Sequence, residues 1–269
     1  MRFTANQIAA YKQLYERDGY VGGVPLLTRA EAGHHRAALE KAEAEFGTMH
    51  YRSKAHTILT SPYQLATLPH LLDIVEAMIG PNILLYNTTY IIKEPQTPSF
   101  VSWHQDLTYW GLSHDDQVTM WLALSPATAQ SGCMKMIPGS HKNGRFDHHE
   151  TNDQNNVLLQ GQTVANAPAE QAKLCPLAPG EASFHHGWTL HASQANESDD
   201  RRIGLNVQYL APHVRQTKHD LDTAMLVRGV DDHHHFESDK AAIRDLDPDD
   251  IAHQKALEER YIAIAGSRN

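Results

Sequence analysis

At residue 83 the pattern of the chain changes, and no other feature restricts its fold so strongly. Before that point apolar residues recur at helical spacing. The run ILLYNTTYIIK (83–93) is instead dense in β-branched and aromatic residues and holds no helix-stop signal. Runs of the same kind follow at 118–124, 133–137, 181–185 and 203–210, each bounded by Gly, Pro, Ser or Asn. Short strands joined by loop-rich connections predict a mainly β protein, a sandwich or jelly roll.

Helices are predicted on either side. Thr4 with Gln7 has capping-box spacing, and Ile8, Tyr11, Leu14 and Tyr15 carry a first helix to Gly19. Thr28 with Glu31 opens a second that reaches about Phe46, and Pro69 opens a third, through Leu72 and Val75 to Gly80. Near the end, Asp247-Pro248-Asp249-Asp250 starts a helix whose Ile251, Leu257, Tyr261 and Ile264 are predicted to pack on the barrel. No repeat or linker divides the chain. It therefore reads as one domain over 1–269: a helical part at about 1–80, a jelly-roll core at about 83–212 and a C-terminal helical extension at about 213–269. The polar segment 145–168 lacks periodicity and is predicted to be a long surface insertion over a site.

Hydrophobic residues make up 41% of the 269 and charged residues 20%, enough apolar content for a sizeable core. A formal charge of -9 repels nucleic acid and anionic lipid, so neither is expected as a partner. The first twenty residues contain no apolar h-region, and no run reaches the roughly 18 apolar residues of a membrane span. A soluble, cytoplasmic protein is expected. Two cysteines, Cys133 and Cys175, are too few for a disulfide framework and read as buried thiols. Nineteen histidines are many, but adjacent ones cannot all face one metal, and the run 233–235 reads as an exposed loop.

Chemistry concentrates in Ser102-Trp103-His104-Gln105-Asp106. On a strand or its edge, positions i and i+2 point the same way, so His104 and Asp106 can reach one ion while Gln105 points elsewhere. A third ligand must come from distant sequence, and His191 in WTLHAS lies between two strand candidates. Two imidazoles and a carboxylate that leave positions open are the ligand set of non-haem iron(II) oxygenases. Arg202 opens the strand after His191, so its fork can grip the far carboxylate of 2-oxoglutarate, with Ser193 as a second hydrogen-bonding group.

The strings WHQDLTYWGL, GCMKMIPGSHK and HHGWTLHAS followed by RRIGLNVQYLAP, together with an early DGY, resemble the phytanoyl-CoA dioxygenase family of iron(II) and 2-oxoglutarate enzymes from about Leu14 to Pro212. The resemblance implies a double-stranded β-helix of jelly-roll, cupin-like form. It implies iron on His104, Asp106 and His191, with 2-oxoglutarate held by Arg202 and Ser193 and lined by Gln105, Trp121 and Asn87. Because Asp106 is kept, hydroxylation with dioxygen is implied rather than halogenation. Tyr109, Trp110 and Trp188 are candidates for the substrate wall. Lys93 either reaches the cavity or stays solvated at its strand end.

The substrate is expected to be a small polar molecule. 2-Aminoethylphosphonate or its trimethylammonio form leads, and an amino acid, a betaine or a natural-product intermediate is the alternative. Two other classes compete: a non-catalytic cupin-like binding protein and a zinc hydrolase on the same ligands. Oligomeric state is not readable from the sequence.

Overall fold

Both capping boxes form. In the computed structural model, which describes residues 2–151, 153–158 and 162–266, Thr4 and Thr28 each accept from the backbone N–H three residues on. The side chains of Gln7 and Glu31 return the bond, and the helices α1 (Ala5–Asp18) and α2 (Arg29–Phe46) flank strand β1 (Tyr20–Pro25). Gly19 ends α1 in the left-handed region (φ +81), where a Cβ would also run into His141 and Thr189. Next come α3 (Thr60–Ala66) and α4 (Pro69–Ile79). Helix α3 is not expected from the sequence, because its seven residues are too few to show a period.

The β region follows as β2 (Ile83–Lys93), β3 (Val101–His104), the short helix α5 (Leu107–Trp110), β4 (Gln117–Ala123) and β5 (Met134–Met136). It continues through the small strands β6 (His149–Glu150), β7 (Gln162–Thr163) and β8 (Lys173–Cys175) to β9 (Glu181–His185), β10 (His191–Ser193) and β11 (Arg202–Leu210). The extension, expected to be helical, first adds two strands to the main sheet, β12 (Thr223–Arg228) beside β2 and then β13 (Glu237–Ser238), and only then α6 (Pro248–Ala265). A seven-stranded sheet runs β1-β9-β4-β11-β2-β12-β13 and a four-stranded one β3-β10-β5-β8. The result is the expected jelly roll with helices at both ends of the sequence.

Alternation on β11 decides what faces what. Ile203, Leu205, Val207 and Tyr209 join Val118, Met120, Leu122 and Phe184 in the main core, which includes residues of α1 to α4. Burying each such side chain contributes about 1.5–3 kcal/mol. The intervening residues, Arg202, Gly204, Asn206 and Gln208, point to the other face, where the two sheets enclose a cavity. Both faces are covered, which is why β4 is buried at every position.

The extension is tied to the barrel by buried polar groups. Lys54 Nζ, 1% exposed, meets Asp239 Oδ2 at 2.9 Å and also donates to the carbonyls of Tyr86 and Thr223. Tyr86 Oη donates to Asp222 Oδ2 at 2.7 Å, and Gln254 of α6 donates to Ser53 O at 2.6 Å. Segment 145–168 is a surface feature only in part. In its described residues, buried Asn156 donates to Ser102 Oγ at 2.9 Å, and Val164 N–H donates to Trp103 O at 2.8 Å. Cys133 and Cys175 are free and buried, His233 to His235 are exposed, and no described helix is long and apolar enough to cross a membrane.

Candidate metal centre

β3 and β10 run antiparallel with His104 directly opposite His191, and the ring centroids lie 4.0 Å apart. The strand stops at His104. Asp106 already has helical φ and ψ at the start of α5 and makes no capping bond, so the carboxylate reaches the imidazoles from a strand-to-helix corner rather than by strand alternation. Its Oδ1 lies 3.5 Å from His104 Nε2 and 3.7 Å from His191 Nε2. One ligand atom from each of the three residues lies within 4.8 Å of the others.

Both imidazoles have a fixed tautomer. His104 Nδ1 bonds Ser102 O at 2.9 Å and His191 Nδ1 bonds Thr189 O at 3.0 Å, so Nδ1 carries the proton and each Nε2 lone pair faces the carboxylate. Burial, then the neighbouring His104, drives the pKa of His191 well below the usual imidazole range, which favours the neutral, ligating form. Burial alone would raise the Asp106 pKa. The histidines packed around it, His104, His185 and His191, outweigh that and hold the carboxyl well below its ordinary range.

Arg202 lies on the same cavity, 1% exposed, with its guanidinium 5.1 Å from the Trp121 ring. Nη1 donates to Gly132 O at 3.1 Å, whereas Nε and Nη2 are buried with no hydrogen-bond partner. Two such N–H groups side by side match one carboxylate. Across the β2–β11 register sits Lys93, whose Nζ donates to Ser193 Oγ at 2.8 Å and to Gln194 O. Lys93 is therefore not a solvated strand-end residue. Burial, then the Arg202 charge, brings its pKa down to about 6.

The expected residues divide. His104, Asp106, His191, Ser193, Arg202, Trp121, Tyr109 and Trp110 line the cavity, whose empty volume is about 910 Å³ including its open mouth. Gln105, Asn87, Trp188 and Lys93 do not. Gln105 is fully buried and binds three loop backbones: Gly144 O, Trp188 O and Phe146 N–H. Asn87 accepts from Lys54 N–H and donates to Thr89 Oγ1, one layer behind the wall. Trp188 packs beside the apolar cluster of Leu107 and Trp110.

Several wall residues were not anticipated. Asn206 and Gln208 share the strand face of Arg202, and extending the same alternation forward would have found them. Tyr51, in the left-handed region at φ +59, and Tyr261 of α6 come from remote segments that carry no local signal.

The match to the family model described as "Phytanoyl-CoA dioxygenase (PhyH)" covers residues 4–204. A protein of Stutzerimonas stutzeri called "Probable alpha-ketoglutarate-dependent hypophosphite dioxygenase" is 30% identical over 143 residues, 52% of this chain and 50% of its own. The human "Phytanoyl-CoA dioxygenase, peroxisomal" is 26% identical over 152 residues, 55% of this chain and 45% of its own. The chain thus spans about half the length of the curated relatives it matches. A solved structure titled "non-heme monooxygenase; ThoJ apo" superimposes with a TM-score of 0.83 at 27% identity, covering 94% of this chain and 97% of that one. The family match takes in α1, both ligand strands and the cavity arginine at the start of β11, and the chain belongs to the phytanoyl-CoA dioxygenase family.

Proposed function

We propose that the protein is an iron(II)- and 2-oxoglutarate-dependent dioxygenase that hydroxylates a C–H bond of a small polar metabolite. One observation carries the reading. Two imidazoles and a carboxylate converge in the same cavity as a buried guanidinium whose Nε and Nη2 await an acceptor. A binding protein with a structural metal has no use for that fork, and a zinc hydrolase leaves it unexplained.

His104, Asp106 and His191 hold the metal in this reading. Arg202 takes the distal carboxylate of 2-oxoglutarate through its two open N–H groups, and Ser193 adds a hydroxyl, itself oriented by Lys93. When bound, iron(II) with 2-oxoglutarate and dioxygen supplies the oxidising power for C–H hydroxylation, and 2-oxoglutarate leaves as succinate and carbon dioxide. The chain's own task is to orient the reactants and keep water away from them. Trp121 covers the guanidinium, and Tyr51, Tyr109, Trp110 and Tyr261 surround the remaining space.

A phosphorus-containing substrate, 2-aminoethylphosphonate or its trimethylammonio form, is the narrower reading. The hypophosphite dioxygenase relative supports it, and aromatic faces attract an ammonium group by about 0.5–2 kcal/mol. Amino acids and betaines share the ammonium group, and they and natural-product intermediates are the alternative. Anaerobic protein with iron(II) and 2-oxoglutarate should give a visible charge-transfer band that is absent in His191→Ala. Under oxygen, succinate release should rise with the true substrate. Failure of the wild-type protein to give the band would refute the reading.

A further inference from the structure

Asp106 is gripped from behind. Its Oδ1 faces the two ligand imidazoles, while its Oδ2 lies 3.0 Å from Thr119 Oγ1 and 3.3 Å from His185 Nε2. Thr119 and His185 stand opposite each other in the β4–β9 register, and both are essentially inaccessible to solvent.

Proton directions follow from the surroundings. Gln117 Nε2 donates to Thr119 Oγ1 at 2.9 Å, which leaves the threonine proton free to point at Oδ2. On His185, Nδ1 is buried without a partner, so the nitrogen that meets the carboxylate is the one that carries the ring proton. His185 stands outside the set of ligand atoms that lie within 4.8 Å of one another, although its ring centroid is only 4.6 Å from that of His191. It is a neighbour of the ligand set and not a member.

A carboxylate with both oxygens free can occupy two adjacent places on a metal, whereas one whose second oxygen already accepts two donors occupies one. The two-histidine, one-carboxylate set is useful because it leaves places open. 2-Oxoglutarate needs two of them and dioxygen a third. We propose that Thr119 and His185 are positioning residues that hold Asp106 to the metal through one oxygen only, keeping open a place the cosubstrate needs. The inference rests on the metal reading given above and adds to it two residues from strands that supply no ligand.

Cobalt(II), whose visible spectrum reports its coordination, can replace iron for the test. The Thr119→Val and His185→Leu variants are titrated with cobalt(II), and the loaded proteins then with 2-oxoglutarate. Both variants should still take up cobalt(II), with an altered spectrum, and should bind 2-oxoglutarate about 10–100-fold more weakly than wild type. His185→Gln, which keeps an N–H donor, should recover most of the loss. A merely structural role predicts a lower melting temperature with an unchanged cobalt spectrum and no rescue. Should His185→Leu fail to melt cooperatively, the near-isosteric Thr119→Val carries the test alone. Wild-type spectra and 2-oxoglutarate affinity in folded variants would overturn the inference while leaving the metal reading intact. Wild-type protein that binds no cobalt(II) would overturn both.

Discussion

Trp121 and Gly204 occupy one space: a Cβ at position 204 would stand inside contact distance of the indole ring on the neighbouring strand. The indole is thereby allowed to lie over the sheet beside Arg202. Gly204→Ala should force it off, cost about 1–3 kcal/mol in stability and weaken 2-oxoglutarate binding. Urea unfolding and titration of the iron(II)–2-oxoglutarate band measure the two effects, and unchanged cosubstrate affinity would show that the indole has no part in holding it.

Arg202 and lysine are not equivalent at this position. Burial brings the guanidinium pKa down to about 10, so it stays charged at neutral pH, and its value lies in two parallel N–H groups. Arg202→Lys keeps a charge and loses the fork, and the affinity for 2-oxoglutarate should fall at least tenfold, in line with about 1.5–3 kcal/mol for a charge-assisted hydrogen bond. Arg202→Met should fall further. Equal affinity of Arg202→Lys and wild type would remove the bidentate role.

Lys93 makes stability depend on pH. Its pKa is about 6 when folded, against an ordinary 10.5, so between those values the unfolded chain binds more protons than the native one. Wild-type unfolding free energy should therefore contain a contribution that rises with pH across that window, by up to about 1.4 kcal/mol per pH unit. Lys93→Met lacks this contribution. Its stability advantage over wild type should be largest at pH 6 and below and shrink towards pH 10, as read from urea midpoints, and a constant difference would mean that Lys93 is charged in the fold.

Asp239 neutralises Lys54 where neither reaches solvent. Burial alone would raise its pKa, but the Lys54 charge, helped by His56, holds it far below the carboxylate range, so the stabilisation is present above the unfolded value near 3.9 and lost in stronger acid. Asp239→Asn should cost about 3–5 kcal/mol, because the lysine is left buried and unpaired. Lys54→Met combined with Asp239→Asn should recover part of that loss. Additive single and double effects in unfolding experiments would contradict the coupling.

Features that repeat locally were readable from the sequence. Both capping boxes, the left-handed stop at Gly19, Pro69 at a helix start and the strand runs at 83–93 and 181–185 form as their residue types dictate. His185, the last residue of β9, faces Asp106, whereas His186 lies just past the strand with its ring centroid 6.0 Å from that of Tyr15 of α1. What depends on three-dimensional closure was not readable. Strand alternation points Gln105 away from the ion and the family resemblance sets it beside the cosubstrate, whereas the corner after β3 turns it into three loop contacts. Lys93 has the look of a surface residue until its strand is set beside Arg202.

Helix α6 reaches the cavity from beyond the family match, which ends at residue 204, and places Tyr261 and Ala265 in the wall. The stretch that supplies the proposed metal ligands and Arg202 and the helix that adds Tyr261 to the chamber wall are therefore separate in sequence. Substitutions in α6 can therefore reshape the chamber without replacing any proposed ligand, and on the proposed reading descendants of such a protein change diet without relearning their chemistry.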